Sequence, residues 1–135
     1  MSDATILANA HSDALGPRYA QMIQTGHHEL VADEPATAGG ADVGSSPYGL
    51  LLASLAACTA ITLRMYADRK GWELGPVHID LSIGRSAEGV ERITRTITPA
   101  PAVTAEQRAK LAEIAEKTPV TKTLKRSLEI ATTFV

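Results

Sequence analysis

A single cysteine, Cys58, stands inside Leu50-Leu-Leu-Ala-Ser-Leu-Ala-Ala-Cys58-Thr-Ala, a run made almost wholly of Leu and Ala. Its side chain offers two roles. As a thiolate it is a nucleophile and a redox centre; as a neutral thiol it packs like a small hydrophobe. The surrounding helix gives little electrostatic help. Cys58 falls about three turns past the candidate helix start at Ser46, and a helix dipole fades within its first turn. Activating the sulfur therefore requires a cation brought from elsewhere in the fold.

Other chemistry-bearing residues are less suggestive. Gly39-Gly-Ala-Asp-Val-Gly-Ser-Ser46 precedes a helix start and could cradle an anion through backbone N–H groups. It lacks the lysine and spacing of a P-loop, so it reads as an ordinary flexible loop. His27 and His28 are adjacent, would point to opposite faces if both sat in a strand, and have no acid or cysteine at ligand spacing. His78 falls on the polar face of its strand. No Ser-His-Asp arrangement can be read from spacing. No metal and no cofactor are expected.

The elements that position Cys58 follow from patterning. Ser46-Pro47 supplies an N-cap and a proline at the first helical position, and Gly71 supplies a stop after Asp68-Arg-Lys. A helix over about 47–70 results. Between Leu50 and Leu63 it is apolar all the way round, so protein must surround most of it. A chain of 135 residues forms one domain, 1–135, and one copy struggles to wrap such a helix. A homodimer is the expectation.

Before this helix, Thr5-Ile-Leu-Ala, the stretch Arg18–Thr25 and the stretch His28–Asp33 read as a meander, with the turn at Gly26-His27. After it, Val77-His-Ile-Asp-Leu-Ser-Ile alternates strictly. Its hairpin partner over Val90–Thr98 presents Ile93 and Ile97 with threonine between. Thr104-Ala-Glu-Gln opens a second helix with the stripe Leu111, Ile114 and Ala115, and Thr118-Pro119 breaks it. A short helical turn to about Leu128 and a closing strand over Glu129–Val135 complete the order β-β-β-α-β-β-α-α-β. The class is α+β.

Composition narrows the partners. A net charge of −2 and few aromatic residues argue against nucleic acid and anionic membrane. Lys117, Lys122, Lys125 and Arg126 read as a solvated helix face. The longest apolar stretch, Leu50–Leu63, is shorter than the roughly 20 residues a membrane span needs. One cysteine makes no internal disulfide, and the first residues carry no basic-then-apolar signal segment. The expected location is the cytoplasm.

The block Ser46-Pro47-Tyr48-Gly49-Leu-Leu-Leu-Ala-Ser-Leu-Ala-Ala-Cys58-Thr, continuing through Leu63-Arg-Met-Tyr-Ala-Asp-Arg-Lys-Gly71, resembles the OsmC/Ohr family. This family comprises osmotically inducible protein C and organic hydroperoxide resistance proteins. Residues 32–42 and 117–124 agree in order and spacing, so the resemblance covers nearly the whole chain. It implies an intertwined homodimer with two long helices central between wrapped sheets. It also implies peroxidatic thiol chemistry, in which Cys58 attacks a hydroperoxide and becomes a sulfenic acid.

Carried over by position, Arg18 matches the activating arginine of that family. The match breaks elsewhere. Tyr48 stands where the peroxidatic branch has a glutamate, and Thr118 stands where it has the resolving cysteine. The resemblance thus implies a one-cysteine, thiol-dependent hydroperoxide reductase. Cys58 is its nucleophile, Tyr48 and Thr118 line the substrate pocket, and an external thiol serves as reductant. The alternative is a non-catalytic dimer that binds a small hydrophobic ligand, with Cys58 structural.

Overall fold

The computed structural model of the chain describes residues 4–16 and 18–135. The reading of the first residues as carrying no signal lies partly outside them. Two compact units divide the chain, Met1–Leu51 and Leu52–Val135.

The first unit carries the meander: β1 (Ala10–Ala14), β2 (Gln21–Thr25) and β3 (His28–Ala32), antiparallel in the order β1-β2-β3. Gly26 takes φ +60, which lets a two-residue turn pair Thr25 with His28. The expected strand at Thr5–Ala8 is corrected by register. Ala14 pairs with Gln21 and Ala10 with Thr25, so residues 5–8 would have to pair beyond Thr25, where the chain already turns. Apolar content misled there; Ile6 and Leu7 are exposed and outside any strand.

After β3 the chain makes a 3-10 turn at Ala36–Ala38 and returns beside it. Ser45 forms a parallel bridge with Ala32, with Asp33 N–H donating to the Ser45 carbonyl at 3.0 Å. A Cβ on Gly40 would fall 1.9 Å from the Glu34 carbonyl oxygen, and one on Gly44 2.2 Å from that of Val31. Only glycine permits that approach.

The long helix α1 (Pro47–Lys70) has the expected bounds. Ser46 Oγ accepts the Gly49 N–H at 3.0 Å as N-cap. At the far end Gly71 adopts φ +70 and Trp72 N–H donates to the Ala67 carbonyl at 2.9 Å, a Schellman closure. Within one chain α1 is buried only along Leu55, Thr59, Leu63 and Ala67, every fourth residue. Ile61 and Met65 remain 58% and 57% exposed. By length and composition alone the helix could span a membrane, with a mean hydropathy of 1.6 over its most apolar window. That revises the shorter span read from Leu50–Leu63, although a core helix of a soluble protein has the same composition.

The second unit adds the hairpin β4 (His78–Arg85) and β5 (Glu91–Thr98), then α2 (Ala105–Ala115) and α3 (Pro119–Leu124). Thr104 and Gln107 form a complete capping box at the start of α2. The break read at Thr118-Pro119 is a new helix start, with Thr118 as N-cap and proline at N1. Leu63 and Ala67 of α1 pack with Leu74, Val103, Leu111 and Ala115 in one core. Cross-strand pairs Ile79–Ile97, Leu81–Arg95 and Ile83–Ile93 form the inner face of the hairpin.

The closing strand expected at Glu129–Val135 is absent as a strand: the segment has no regular structure, and Phe134 is fully exposed. Its β-prone sequence has no ladder because none of the described strands pairs with it. The α+β class and the element order are otherwise as read.

Candidate active site at Cys58

The site is built where α1 meets α2 and α3 within the second unit. Cys58 is half-buried. Its Sγ accepts the backbone N–H of Val120 at 3.4 Å and lies 3.9 Å from Thr62 Oγ1, one turn along α1. Val120 is in the first turn of α3, where N–H groups have no carbonyl four residues back. The sulfur fills that vacancy.

Next to Cys58, Thr59 is fully buried. Its hydroxyl donates to the Leu55 carbonyl at 2.7 Å and accepts from Arg95 Nη1 at 3.0 Å. Next to Val120, Thr121 Oγ1 accepts from the same Arg95 nitrogen at 2.9 Å. Arg95 Nη2 donates to the Ala115 carbonyl at 3.1 Å and to Glu116 Oε2 at 3.3 Å. Its side chain is only 12% exposed. Thr118, fully buried, shares a 2.5 Å hydrogen bond with Thr121. Glu116 also receives Lys125 Nζ at 2.5 Å. The Lys125 hydrogen bond, assisted by the charge of Arg95, holds the Glu116 carboxyl below its ordinary value against a smaller effect of burial.

Arg95 escaped the sequence reading, yet a signal existed. It sits between Ile93 and Ile97 at period two, so it occupies an inward position on an otherwise apolar strand face. A guanidinium there must find acceptors, and it finds three on buried residues, Thr59, Thr121 and Ala115, and a fourth on the exposed Glu116.

Of the residues expected at the site, Thr118 does belong to the cluster around α3 whose Val120 amide touches the sulfur. Arg18 and Tyr48 lie in the first unit. Arg18, at φ 61, donates from Nη1 to the Gly39 carbonyl at 2.6 Å, and its guanidinium stands 5.9 Å from the Tyr19 ring centre. Tyr48 sits in the first turn of α1, half exposed.

The Gly-rich loop before α1 does hold an anion, the chain's own. Asp33, 3% exposed, accepts from the Glu34 N–H at 2.7 Å, Ala41 N–H at 3.1 Å and Val43 N–H at 3.2 Å. Burial by itself raises the Asp33 carboxyl, but the amides of Val43, Glu34, Ala41 and Asp42 together hold it below its ordinary value. Among the described residues no group of three or more His, Cys, Asp or Glu could hold a metal ion.

A family model described as OsmC-like protein matches residues 39–133. The chain belongs to the OsmC-like family. Several solved structures share its fold. One is a putative osmotic stress induced and detoxification response protein from Psychrobacter arcticus, with TM-score 0.74, 17% identity and 90% of each chain covered. An organic hydroperoxide resistance protein OsmC from Legionella pneumophila gives TM-score 0.68 and 19% identity, covering 91% of this chain and 92% of that one. The organic hydroperoxide resistance protein OhrB of Bacillus subtilis gives TM-score 0.63 and 22% identity, covering 90% and 93%. No curated protein matches the sequence. The OsmC-like fold places its one cysteine on the long helix, facing an amide donor.

Proposed function

We propose that this OsmC-like protein is a one-cysteine, thiol-dependent hydroperoxide reductase. The observation that carries the reading is the half-buried Cys58 sulfur on α1, held 3.4 Å from the Val120 N–H that donates to it. The names of the Legionella and Bacillus fold neighbours point the same way.

In the proposed cycle the Cys58 thiolate attacks the distal oxygen of an organic hydroperoxide. The O–O bond breaks, the alkoxide leaves as alcohol after taking a proton, and Cys58 becomes a sulfenic acid. No second cysteine exists to condense with it. An external dithiol therefore attacks the sulfur, releasing water and forming a mixed disulfide. Its second thiol then displaces Cys58 as thiolate. Arg18 is the proposed activating cation, and Tyr48 and Thr118 are the proposed polar lining of the pocket. The working unit is proposed to be a cytoplasmic homodimer. Ile61 and Met65 on α1 and the unpaired apolar segment at the C-terminus are the surfaces a second copy would cover.

The test mixes purified protein with an organic hydroperoxide and excess dithiol, beside Cys58→Ser. Cys58-dependent consumption supports the reading. Equal, uncatalysed rates in both proteins defeat it.

A second reading, non-catalytic binding of a small hydrophobic ligand, draws on a cavity of 260 Å³ in the second unit. Leu63, Val77, Ile97, Pro99, Leu111 and Ala112 line it, with Arg108. Native mass spectrometry of protein purified without detergent tests it: a retained small-molecule mass favours this reading, and a bare protein mass counts against it.

A further inference from the structure

Arg95 does more than fill a polar gap in the hairpin face. One of its nitrogens, Nη1, bonds Thr59 and Thr121 together, at 3.0 and 2.9 Å. Thr59 is the residue after Cys58, and Thr121 is the residue after Val120. A single donor atom thus bridges the immediate neighbours of both partners in the sulfur–amide contact. The other nitrogen, Nη2, fixes the guanidinium plane against the end of α2 through Ala115 and Glu116. The groups around this fork are three hydroxyls, one carbonyl and the Glu116–Lys125 pair. We infer that Arg95 is a positioning residue for Cys58: it clamps the first turn of α3 to α1 and keeps the Val120 amide aimed at the sulfur.

This inference deepens the proposed peroxidase reading but stands on geometry of its own. A planar, five-donor fork is what the arrangement requires. A lysine in the same place offers a point charge and cannot reach both hydroxyls and the α2 end in fixed directions. The clamp acts through Thr59 and Thr121, so Arg95 itself need not touch substrate.

The test uses the full chain with Arg95→Met, Arg95→Lys and Thr121→Val. Cys58 alkylation by iodoacetamide is timed at pH 7 and at pH 10, and thermal stability is recorded in parallel. The ratio of the two rates reports how readily the sulfur ionises and cancels changes in access. The expected result is a ratio about three- to tenfold lower in Arg95→Met and Thr121→Val, with Arg95→Lys between them and wild type. An unchanged ratio in folded Arg95→Met, whatever its melting temperature, overturns the inference. Where Arg95→Met fails to fold, an unchanged ratio in Thr121→Val does so. The two ideas fail separately. A wild-type protein that consumes hydroperoxide no faster than Cys58→Ser, while the variants still lower the ratio, removes the peroxidase reading and leaves the clamp. An active wild type with unchanged ratios removes the clamp and leaves the reading.

Discussion

Asp33 in the first unit and Arg95 in the second are both charged groups largely withdrawn from water, and they satisfy their charges by opposite means. Asp33 takes its partners from backbone N–H groups one, eight and ten residues along the chain. Arg95 takes its partners from residues 20 to 36 positions away, on three different helices. The first arrangement is a loop folding around its own carboxylate. The second is a brace among helices that exists only once they have packed. A fault in the loop should therefore stay local, whereas a fault in the brace should reach the cysteine.

The largest effect is expected where backbone closes on backbone. Gly40→Ala puts a methyl 1.9 Å from the Glu34 carbonyl, which no side-chain motion relieves. The loop must open, with loss of about 3–5 kcal/mol in denaturant unfolding. If the contrast between the regions holds, the iodoacetamide ratio for Cys58 is unchanged in this variant. A changed ratio would break it.

Arg95→Met comes next, at about 2–3 kcal/mol in the same measurement. The methionine stem keeps the packing, but the Ala115 carbonyl and two buried hydroxyls each lose a charged donor. The hydroxyls of Thr59 and Thr121 keep other partners, which limits the loss. Arg18→Met supplies the control, because its guanidinium is exposed and bonds one carbonyl. A loss below about 0.5–1 kcal/mol is expected there. Equal losses at the two arginines would erase the distinction between brace and surface contact.

The same contrast explains what the sequence could disclose. Signals carried by neighbours in the chain were legible: Ser46-Pro47 starting α1, Gly71 ending it, Gly26 turning the meander, and Thr104 capping α2. Tyr48 and Thr118 stood out only against a family pattern. The Asp33 loop was half legible. Its glycines raised an anion cradle, yet the segment was read as an ordinary flexible loop, because Asp33, which its amides bind, lies upstream of it in the chain. At both ends, apolar content alone was a poor guide. Thr5–Ala8 lacks a register partner in β2, and Glu129–Val135 has strand composition without a strand beside it. Arg95 was hidden because its four acceptors come together only in the packed unit.

Asp33→Asn sharpens the local case. The amide replaces one acceptor oxygen with a donor facing backbone donors, so the variant is less stable than wild type at neutral pH. The folded carboxyl of Asp33 lies below its ordinary value of 3.8, so its contribution is full above that value and fades as pH falls through the folded one. Stability curves of wild type and variant should therefore converge in acid. Curves that stay parallel down to pH 2 would mean that shape, rather than charge, closes the loop.

Glu116→Gln gives the smallest expected effect and probes the outer edge of the brace. Glu116 joins Lys125 to Arg95, but its side chain is 58% exposed and water screens both contacts. A loss of about 0.3–1 kcal/mol at pH 7 follows. Its carboxyl lies below the ordinary 4.5, so this contribution too is present above 4.5 and disappears as pH falls through the folded value. Salt should reduce it further, since an exposed pair is screened within about 10 Å at 0.1 M. The informative measurement is the iodoacetamide ratio. Arg95 keeps Thr59, Thr121 and the Ala115 carbonyl when Glu116 becomes neutral, so the ratio should move less than twofold. A larger change would mean that the brace depends on its exposed carboxylate and not on the buried hydroxyls beside Cys58 and Val120.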